Sequence, residues 1–179
     1  MIGAPASYGV QRENYARTEP LRNREPVGRI RMAAKAVIVA DDRILLNHCR
    51  DSSGDWYALP GGGQEQGETL AETLVRECQE EIGTEVEVLR LLFVREIIVA
   101  NHSFTYLEEA VHQVEHLFEC RLPDGYQPHC GPGADAAQMG VRWMDRSALE
   151  EARVYPSRAR DLTDPDRWSE WPVYWGDLE

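Results

Sequence analysis

Residues 59–84 read LPGGGQEQGETLAETLVRECQEEIGT, and this stretch decides how the rest of the chain is read. Pro60 followed by Gly61, Gly62 and Gly63 marks a place where the backbone can bend sharply or approach a ligand closely. Thr69, with Glu72 three residues on, has the form of a capping box with Thr69 as N-cap. A helix is expected from Leu70 to Ile82, ended by Gly83. Leu70, Leu74, Cys78 and Ile82 recur every four residues and form its buried stripe. Glu65, Glu68, Glu72, Glu77, Glu80 and Glu81 crowd the same window against the single Arg76. Glu77 stands i, i+3 and i, i+4 from Glu80 and Glu81, so these carboxylates share a helix face distinct from the apolar stripe. At about 4 Å separation such a pair repels by roughly 4 kcal/mol at an effective dielectric near 20. The arrangement is either a solvated acidic face or a seat for a hard cation such as Mg²⁺, which takes carboxylate oxygen and leaves room for water and phosphate. The glycine turn directly upstream and the arginine beside the cluster favour the second reading.

Working outward, residues 1–28 mix Pro, Gly, Asn, Arg and Glu without periodicity and read as an extended arm. From Ile30, Met32, Ala34, Ala36 and Ile38 fall on one strand face and Arg31, Lys35 and Val37 on the other. Asp41-Asp42 is a turn signal, with Arg43 to Arg50 as the returning strand; Ser52-Ser53-Gly54 precedes a short strand from Trp56 to Leu59. Beyond the helix, Glu85 to Val99 should hold one or two strands and Asn101 to Ala110 a polar loop. Val111 to Leu122 alternates with His112, Val114, His116, Phe118 and Cys120 on one side. A Gly/Pro-rich loop spans Pro123 to Asp135, Gly140 to Met144 forms a last strand and Ser147 to Ala152 a short helix. Strands on both sides of one central helix predict a mixed α/β layered domain.

The spacing Gly62-x5-Glu68-x7-Arg76-Glu77-Cys78-x-Glu80-Glu81-x-Gly83 resembles the Nudix box, G-x5-E-x7-R-E-U-x-E-E-x-G-U with U a bulky aliphatic residue. Every fixed letter is present; the departures are Cys78, a small hydrophobe at the first U, and Thr84 at the last. The preceding Leu59-Pro60-Gly61 also resembles the usual approach to the box. The resemblance implies an α/β/α sandwich around a mixed β-sheet over about residues 29–150. The chain then divides into an arm, 1–28, and a hydrolase domain with a C-terminal extension, 29–179. It implies Mg²⁺ (or Mn²⁺) held by Glu77, Glu80 and Glu81 with the backbone carbonyl of Gly61. Arg76 would pair with and orient carboxylates, while Gly62, Glu68 and Gly83 would be structural members of the box. The implied reaction is hydrolysis of a pyrophosphate bond in a nucleoside diphosphate linked to another moiety. Bound divalent ions neutralise the phosphate oxygens and activate the attacking water, and a nearby glutamate accepts its proton. Candidates for that base are Glu77 within the box and Glu115, Glu108 or Glu109 outside it. Read otherwise, Glu115 is an exposed strand position and Glu108-Glu109 solvated surface.

Composition narrows the partners. With 31 acidic against 19 basic side chains the net charge is −12, which argues against stable binding to long nucleic acid. A small-molecule nucleotide substrate fits if metal ions reverse the sign locally. No run of 18 apolar residues predicts a membrane span, and Met1 to Val10 lacks the form of a secretory signal. Cys49, Cys78, Cys120 and Cys130 form no close-spaced pair and read as free thiols in a reducing cytoplasm. His112 and His116 would lie roughly 13 Å apart in a strand, at about 3.3 Å per residue, too far to chelate one zinc ion. Arg31, Arg50 and Arg95 could meet phosphates, against the blander reading of surface pairing with local acids. Trp168, Trp171, Tyr174 and Trp175 could stack a base, pin the terminal segment, or fill a contact in a homodimer. ADP-ribose-cleaving relatives tend to carry a proline about 15 residues past the box, where Ala100 stands here. The coenzyme A signature is only partly suggested by Leu45-Leu46 and Arg50. Both absences point to nucleoside di- or triphosphates. Two alternatives are a nucleotide-binding sensor that does not cut, which would usually lose box glutamates, and an isoprenoid-diphosphate isomerase, which would need a further catalytic cysteine motif.

Overall fold

The computed structural model describes residues 30–102 and 111–178; the arm and the candidates Glu108 and Glu109 lie outside the described residues. Strand β1 (Ile30–Val37) carries the run Ala33-Ala34 and Ala36-Val37, all buried. From Ala33 on both of its faces are covered, and Ile30, Arg31 and Met32 before it are all exposed, so the expected one-sided alternation does not appear. β2 (Val39–Ala40) returns into β3 (Arg43–Asp51) through Asp41 and Asp42, at φ 50° and 57°. Two positive-φ residues in a two-residue loop are the turn that matches strand twist, and aspartate tolerates it better than most side chains. β4 (Gly54–Ala58) begins and ends earlier than the sequence suggests, leaving Leu59 as a buried residue of the following loop.

Helix α1 (Leu70–Ile82) has the expected ends: the Thr69 hydroxyl accepts from Glu72 N–H, the Glu72 carboxylate accepts from Thr69 N–H, and Gly83 adopts φ 71°. Thr73, Leu74, Cys78 and Ile82 are buried, while Leu70 is only half-buried. Thr69→Ala removes one half of the cap and should lower stability by about 1 kcal/mol, measured by urea denaturation at unchanged m-value.

β5 (Glu87–Ile98) is one long strand with two register irregularities, not two strands. β6 (His112–Arg121), β7 (Gln138–Asp145), α2 (Arg146–Glu151), β8 (Val154–Tyr155) and β9 (Tyr174–Asp177) complete the regular elements, with 3₁₀ turns at Val99–Asn101, Ser157–Arg160 and Pro165–Glu170. One sheet runs β1-β6-β5-β9, with β1 parallel to β6, β5 antiparallel to β6 and β9 parallel to β5. In the other, β3 pairs with β2 and β4 along one edge and β7 along the opposite edge, and β8 joins β4.

The strands of the two sheets divide their side chains between two cores. Ala34, Ala36, Ile38 and Leu45 pack with Leu74, Cys78 and Ile82 of α1. Val37, Ile44 and Leu46, their chain neighbours, pack with Leu149 of α2 and with Ala159, Leu162 and Trp168 of the C-terminal segment. The result is the expected α/β/α sandwich. Trp171 and Trp175 pack on the second core around Phe93, whereas Tyr174 is 41% exposed. All four cysteines are free, with only Cys130 exposed. Among the described residues no helix is long and apolar enough to cross a membrane.

Strand β6 departs from its sequence reading. The covered side chains are Gln113, Glu115 and Leu117 on one face and Cys120 on the other, where His112, Val114, His116 and Phe118 of the expected face are half-buried. Glu115 is therefore no exposed strand position, and its buried face looks into the cleft described next.

Candidate active site

The loop from Pro60 to Gln64 lies along β1. Ala36 N–H donates to Pro60 carbonyl at 2.8 Å, Ala34 N–H to Gly62 carbonyl at 3.0 Å, and Gln64 N–H to Met32 carbonyl at 2.9 Å. Gly61 sits at φ +119°, and a Cβ there would fall 2.2 Å from the Ala34 carbonyl oxygen, so glycine alone fits. A Cβ on Gly62 would fall 2.6 Å from the Glu77 carboxylate. The glycines thus let a backbone strip slide between a strand and an acidic helix.

Arg76 organises the helix side of the cleft. Its Nε donates to Glu68 Oε1 at 2.6 Å and its Nη2 to Glu68 Oε2 at 3.1 Å, the two-pronged geometry of a guanidinium on a carboxylate. Nη1 donates to Glu77 Oε1 at 2.9 Å and to Glu80 Oε2 at 3.3 Å, and Nη2 also reaches the Gly63 carbonyl at 3.1 Å. Glu68 accepts further bonds from Glu65 N–H and the Thr73 hydroxyl, which ties the loop to the first turn of α1. The hydrogen bond from Arg76, then that from Glu65 N–H, pulls the Glu68 carboxyl down to about 2. The Arg76 guanidinium is pushed above its ordinary value, chiefly by Glu68.

Glu81 is held differently. Its Oε2 accepts from Gly61 N–H at 2.7 Å and from Asn47 Nδ2 at 2.8 Å, and among the described residues no guanidinium pairs with it. Burial raises its pKa, against the lowering influence of Lys35, Gly61 N–H and Asn47. The Lys35 ammonium donates to the Gly61 carbonyl. Gln138 Nε2 donates to the Glu81 carbonyl at 2.8 Å, and Gly131 and Gly133 N–H cap the Glu81 and Glu80 carbonyls, so a loop grips the last turn of α1.

These groups open onto a cleft of about 490 Å³. Gly61, Gly62, Arg76, Glu77, Glu80, Glu81 and Glu115 all line it. Glu68 stands behind as a brace, and Gly83 packs against His129 at the far end of α1. The carboxylates share the cleft without forming a cage: among the described residues no three His, Cys, Asp or Glu side chains are gathered closely enough to hold an ion. Arg76 takes an oxygen of Glu77 and of Glu80, Gly61 N–H and Asn47 share one of Glu81, and Lys35 takes the Gly61 carbonyl. Glu115 is 3% exposed and accepts from Arg95 Nε at 2.6 Å and Gln113 Nε2 at 2.8 Å. Arg95, expected on the surface, is 2% exposed. Burial would raise the Glu115 carboxyl, but Arg95, Lys35 and the two hydrogen bonds outweigh it and hold it below the usual range. Arg50 pairs with Asp55 on the surface. His112 turns to Glu96 and His116 to the Ala33 carbonyl, in keeping with the argument against a zinc pair.

Sequence reasoning passed over Lys35, Asn47 and Gln138. The signal for Asn47 was present: a polar residue inside the apolar run of β3, 4% exposed and spent on Glu81. Lys35 likewise interrupts a strand of small apolar residues four positions after Arg31.

The NUDIX domain profile matches residues 29–164. The chain belongs to the NUDIX family. Human NUDT18, named an 8-oxo-dGDP phosphatase, is 32% identical over 123 residues, which are 68% of this chain and 32% of that protein. The mouse protein of that name is 31% identical over the same length and share. This NUDIX chain thus spans about a third of the length of these relatives. A UDP-X diphosphatase crystal structure superposes with TM-score 0.60 at 23% identity, covering 84% of this chain and 68% of that one. A MutT NUDIX hydrolase from Burkholderia pseudomallei gives 0.56 at 23% identity, covering 76% and 100%. At such identity the likeness is one of fold, and the fold is the NUDIX α/β sandwich.

Proposed function

We propose that this NUDIX chain hydrolyses a pyrophosphate bond in a nucleoside diphosphate linked to another moiety, with a nucleoside di- or triphosphate as substrate and Mg²⁺ or Mn²⁺ as the ion. The supporting observation is the single cleft in which three helix carboxylates face Lys35 and Arg31 across the glycine loop. Anionic and cationic walls in one cavity suit a ligand that is itself anionic and is bridged to carboxylate by a cation. The donors suit a hard divalent ion in kind, carboxylate oxygens of Glu77, Glu80 and Glu81 and the Gly61 carbonyl all lining the cleft; to hold one, the carboxylates would draw together and Lys35 would leave the Gly61 carbonyl. Space is shaped for it too, since any side chain at Gly62 would displace the Glu77 carboxylate.

When bound, the ion would neutralise phosphate oxygens and acidify a water for in-line attack. Arg76 keeps Glu77 and Glu80 from turning away, and Glu68 fixes Arg76. Gly61 N–H and Asn47 aim Glu81 at the loop. Glu77 is the residue proposed to accept the water proton: its side chain is 15% exposed and faces the cleft. Glu115, with both oxygens engaged and its guanidinium partner adjacent, is a weak base, and we assign it a positioning part instead.

The test is release of phosphate or pyrophosphate from a panel of nucleoside di- and triphosphates and sugar-linked diphosphates, with Mg²⁺ and with Mn²⁺. Turnover of a di- or triphosphate, abolished by chelator, is expected. Nucleotide binding without product at any metal concentration would establish a sensor in place of a hydrolase.

A further inference from the structure

Opposite the glutamates, the sheet wall of the cleft carries a continuous chain of hydrogen bonds. In register, Arg31 of β1 stands beside Gln113 of β6, and Glu115 of β6 beside Arg95 of β5. Arg31 Nη1 donates to Gln113 Oε1 at 3.0 Å, and Gln113 Nε2 donates to Glu115 Oε1 at 2.8 Å. Arg95 Nε donates to Glu115 Oε2 at 2.6 Å, and Arg95 Nη1 to the Leu178 carbonyl at 2.7 Å. Leu178 follows β9 directly and donates its own N–H to the Glu96 carbonyl. The chain therefore ends on a segment beyond residues 29–164, the span matched to the family.

Such a chain is a poor device for stability alone. Taking a guanidinium and a carboxylate out of water costs several kcal/mol per ion, and a well-packed apolar pair often does as well or better. What the buried members accomplish is orientation of the one exposed member. Arg31 is exposed, lines the cleft, and lies flat against Gly63, where a Cβ would come within 2.5 Å of its guanidinium. Most of the described arginines reach a carboxylate, including Arg43, Arg50, Arg90 and Arg121. For Arg31 no carboxylate lies within 4.0 Å among the described residues; its acceptor is a neutral amide. In a chain of net charge −12, an exposed guanidinium steered by an amide keeps its charge for an anion from outside. Guanidinium N–H groups match phosphate oxygens two at a time.

We propose that Arg31 binds a phosphate group of the substrate, and that Gln113, Glu115 and Arg95, anchored on Leu178 after β9, are the positioning residues that aim it. The assignment rests on the phosphate-substrate reading above. The test uses Arg31→Ala, Arg31→Lys and Gln113→Leu in the full chain, with the nucleotide that the wild type turns over fastest. Binding of inorganic pyrophosphate and of an uncharged nucleoside is followed by calorimetry. Arg31→Ala should raise KM and weaken pyrophosphate about 10- to 100-fold, the loss of a charge-assisted phosphate contact, with kcat changed less. Arg31→Lys should recover part of that affinity, and Gln113→Leu should shift KM in the same direction by less. Nucleoside affinity should stay put in all three, which a general loss of structure would not allow. If Arg31→Ala matches wild type in KM and in pyrophosphate affinity while turnover proceeds, the Arg31 assignment fails and the hydrolase reading stands. If no nucleotide is cut, yet nucleotides and pyrophosphate bind and that binding is lost in Arg31→Ala, the hydrolase reading fails and the assignment stands.

Discussion

Replacing Arg76 by alanine should remove nearly all turnover and lower the melting midpoint by several degrees. The side chain is 25% exposed and is the cation on which Glu68, Glu77 and Glu80 converge. Without it three carboxylates face one another and the Gly63 carbonyl loses a donor. Breaking a buried pair costs about 3–5 kcal/mol; discounted for the exposed quarter, about 2–3 kcal/mol is expected here. For a domain of this size that corresponds to a drop of about 5–10 °C in melting midpoint. Turnover should fall about 100-fold or more, because Glu77 is no longer aligned. Arg76→Lys restores charge but cannot span Glu68 with two parallel bonds, so it should recover stability better than activity. The acid limb reports the same pair. Glu68 is depressed to about 2, so its pairing stabilises the fold above the ordinary value of 4.5 and is lost as pH falls towards 2. In Arg76→Ala that contribution is absent, so between pH 4.5 and 2 the midpoint should fall less steeply than in wild type. A variant melting with wild type across pH 2–7 would remove Arg76 from this role.

Why the sequence spoke clearly in one region and poorly in another follows from what each signal encodes. Helix α1 was legible to the residue because its ends are local chemistry: Thr69 and Glu72 need only each other, and Gly83 needs only its own φ. The box glutamates were legible because spacing on a helix fixes which side chains share a face. Glu115 and Arg95 were misjudged because their meeting depends on pairing between β5 and β6, set by contacts 20 residues apart. Strand alternation shows that Gln113 and Glu115 lie on one face, but it cannot show that this face is the covered one. The residue type argued the other way, since a carboxylate is expected in water. β9 left no trace as a strand because it is four residues long and takes its hydrogen bonds from the edge of β5. Its anchoring aromatics, Trp171 and Trp175, were visible only as residues able to pack somewhere.

The opposed fates of the carboxylates in this cleft give the second large effect, at Glu81. Glu68 is stabilised as an anion by Arg76, whereas Glu81 is raised by burial against weaker help from Lys35, Gly61 N–H and Asn47. A carboxyl whose folded pKa lies above its unfolded value of 4.5 retains a proton that the unfolded chain has released. Stability then declines as pH rises from 4.5 towards the folded value, and the strain is fully present above it. Glu81→Gln should abolish that decline. Both hydrogen bonds on this carboxylate end on the one oxygen, Oε2, so a glutamine carbonyl in its place can accept from Gly61 N–H and Asn47 alike. In chelator, the melting midpoint of Glu81→Gln should equal or exceed that of wild type at pH 7, with the difference narrowing towards pH 4.5. Turnover should move oppositely, falling about 10²- to 10³-fold as an anionic oxygen is lost from the cleft. Adding Mg²⁺ should then raise the wild-type midpoint more than that of the variant, since an ion that binds only the folded state stabilises by mass action. A variant that melts below wild type at every pH in chelator, yet gains as much from Mg²⁺, would show Glu81 to be a structural acceptor and not a charge held in reserve for a cation.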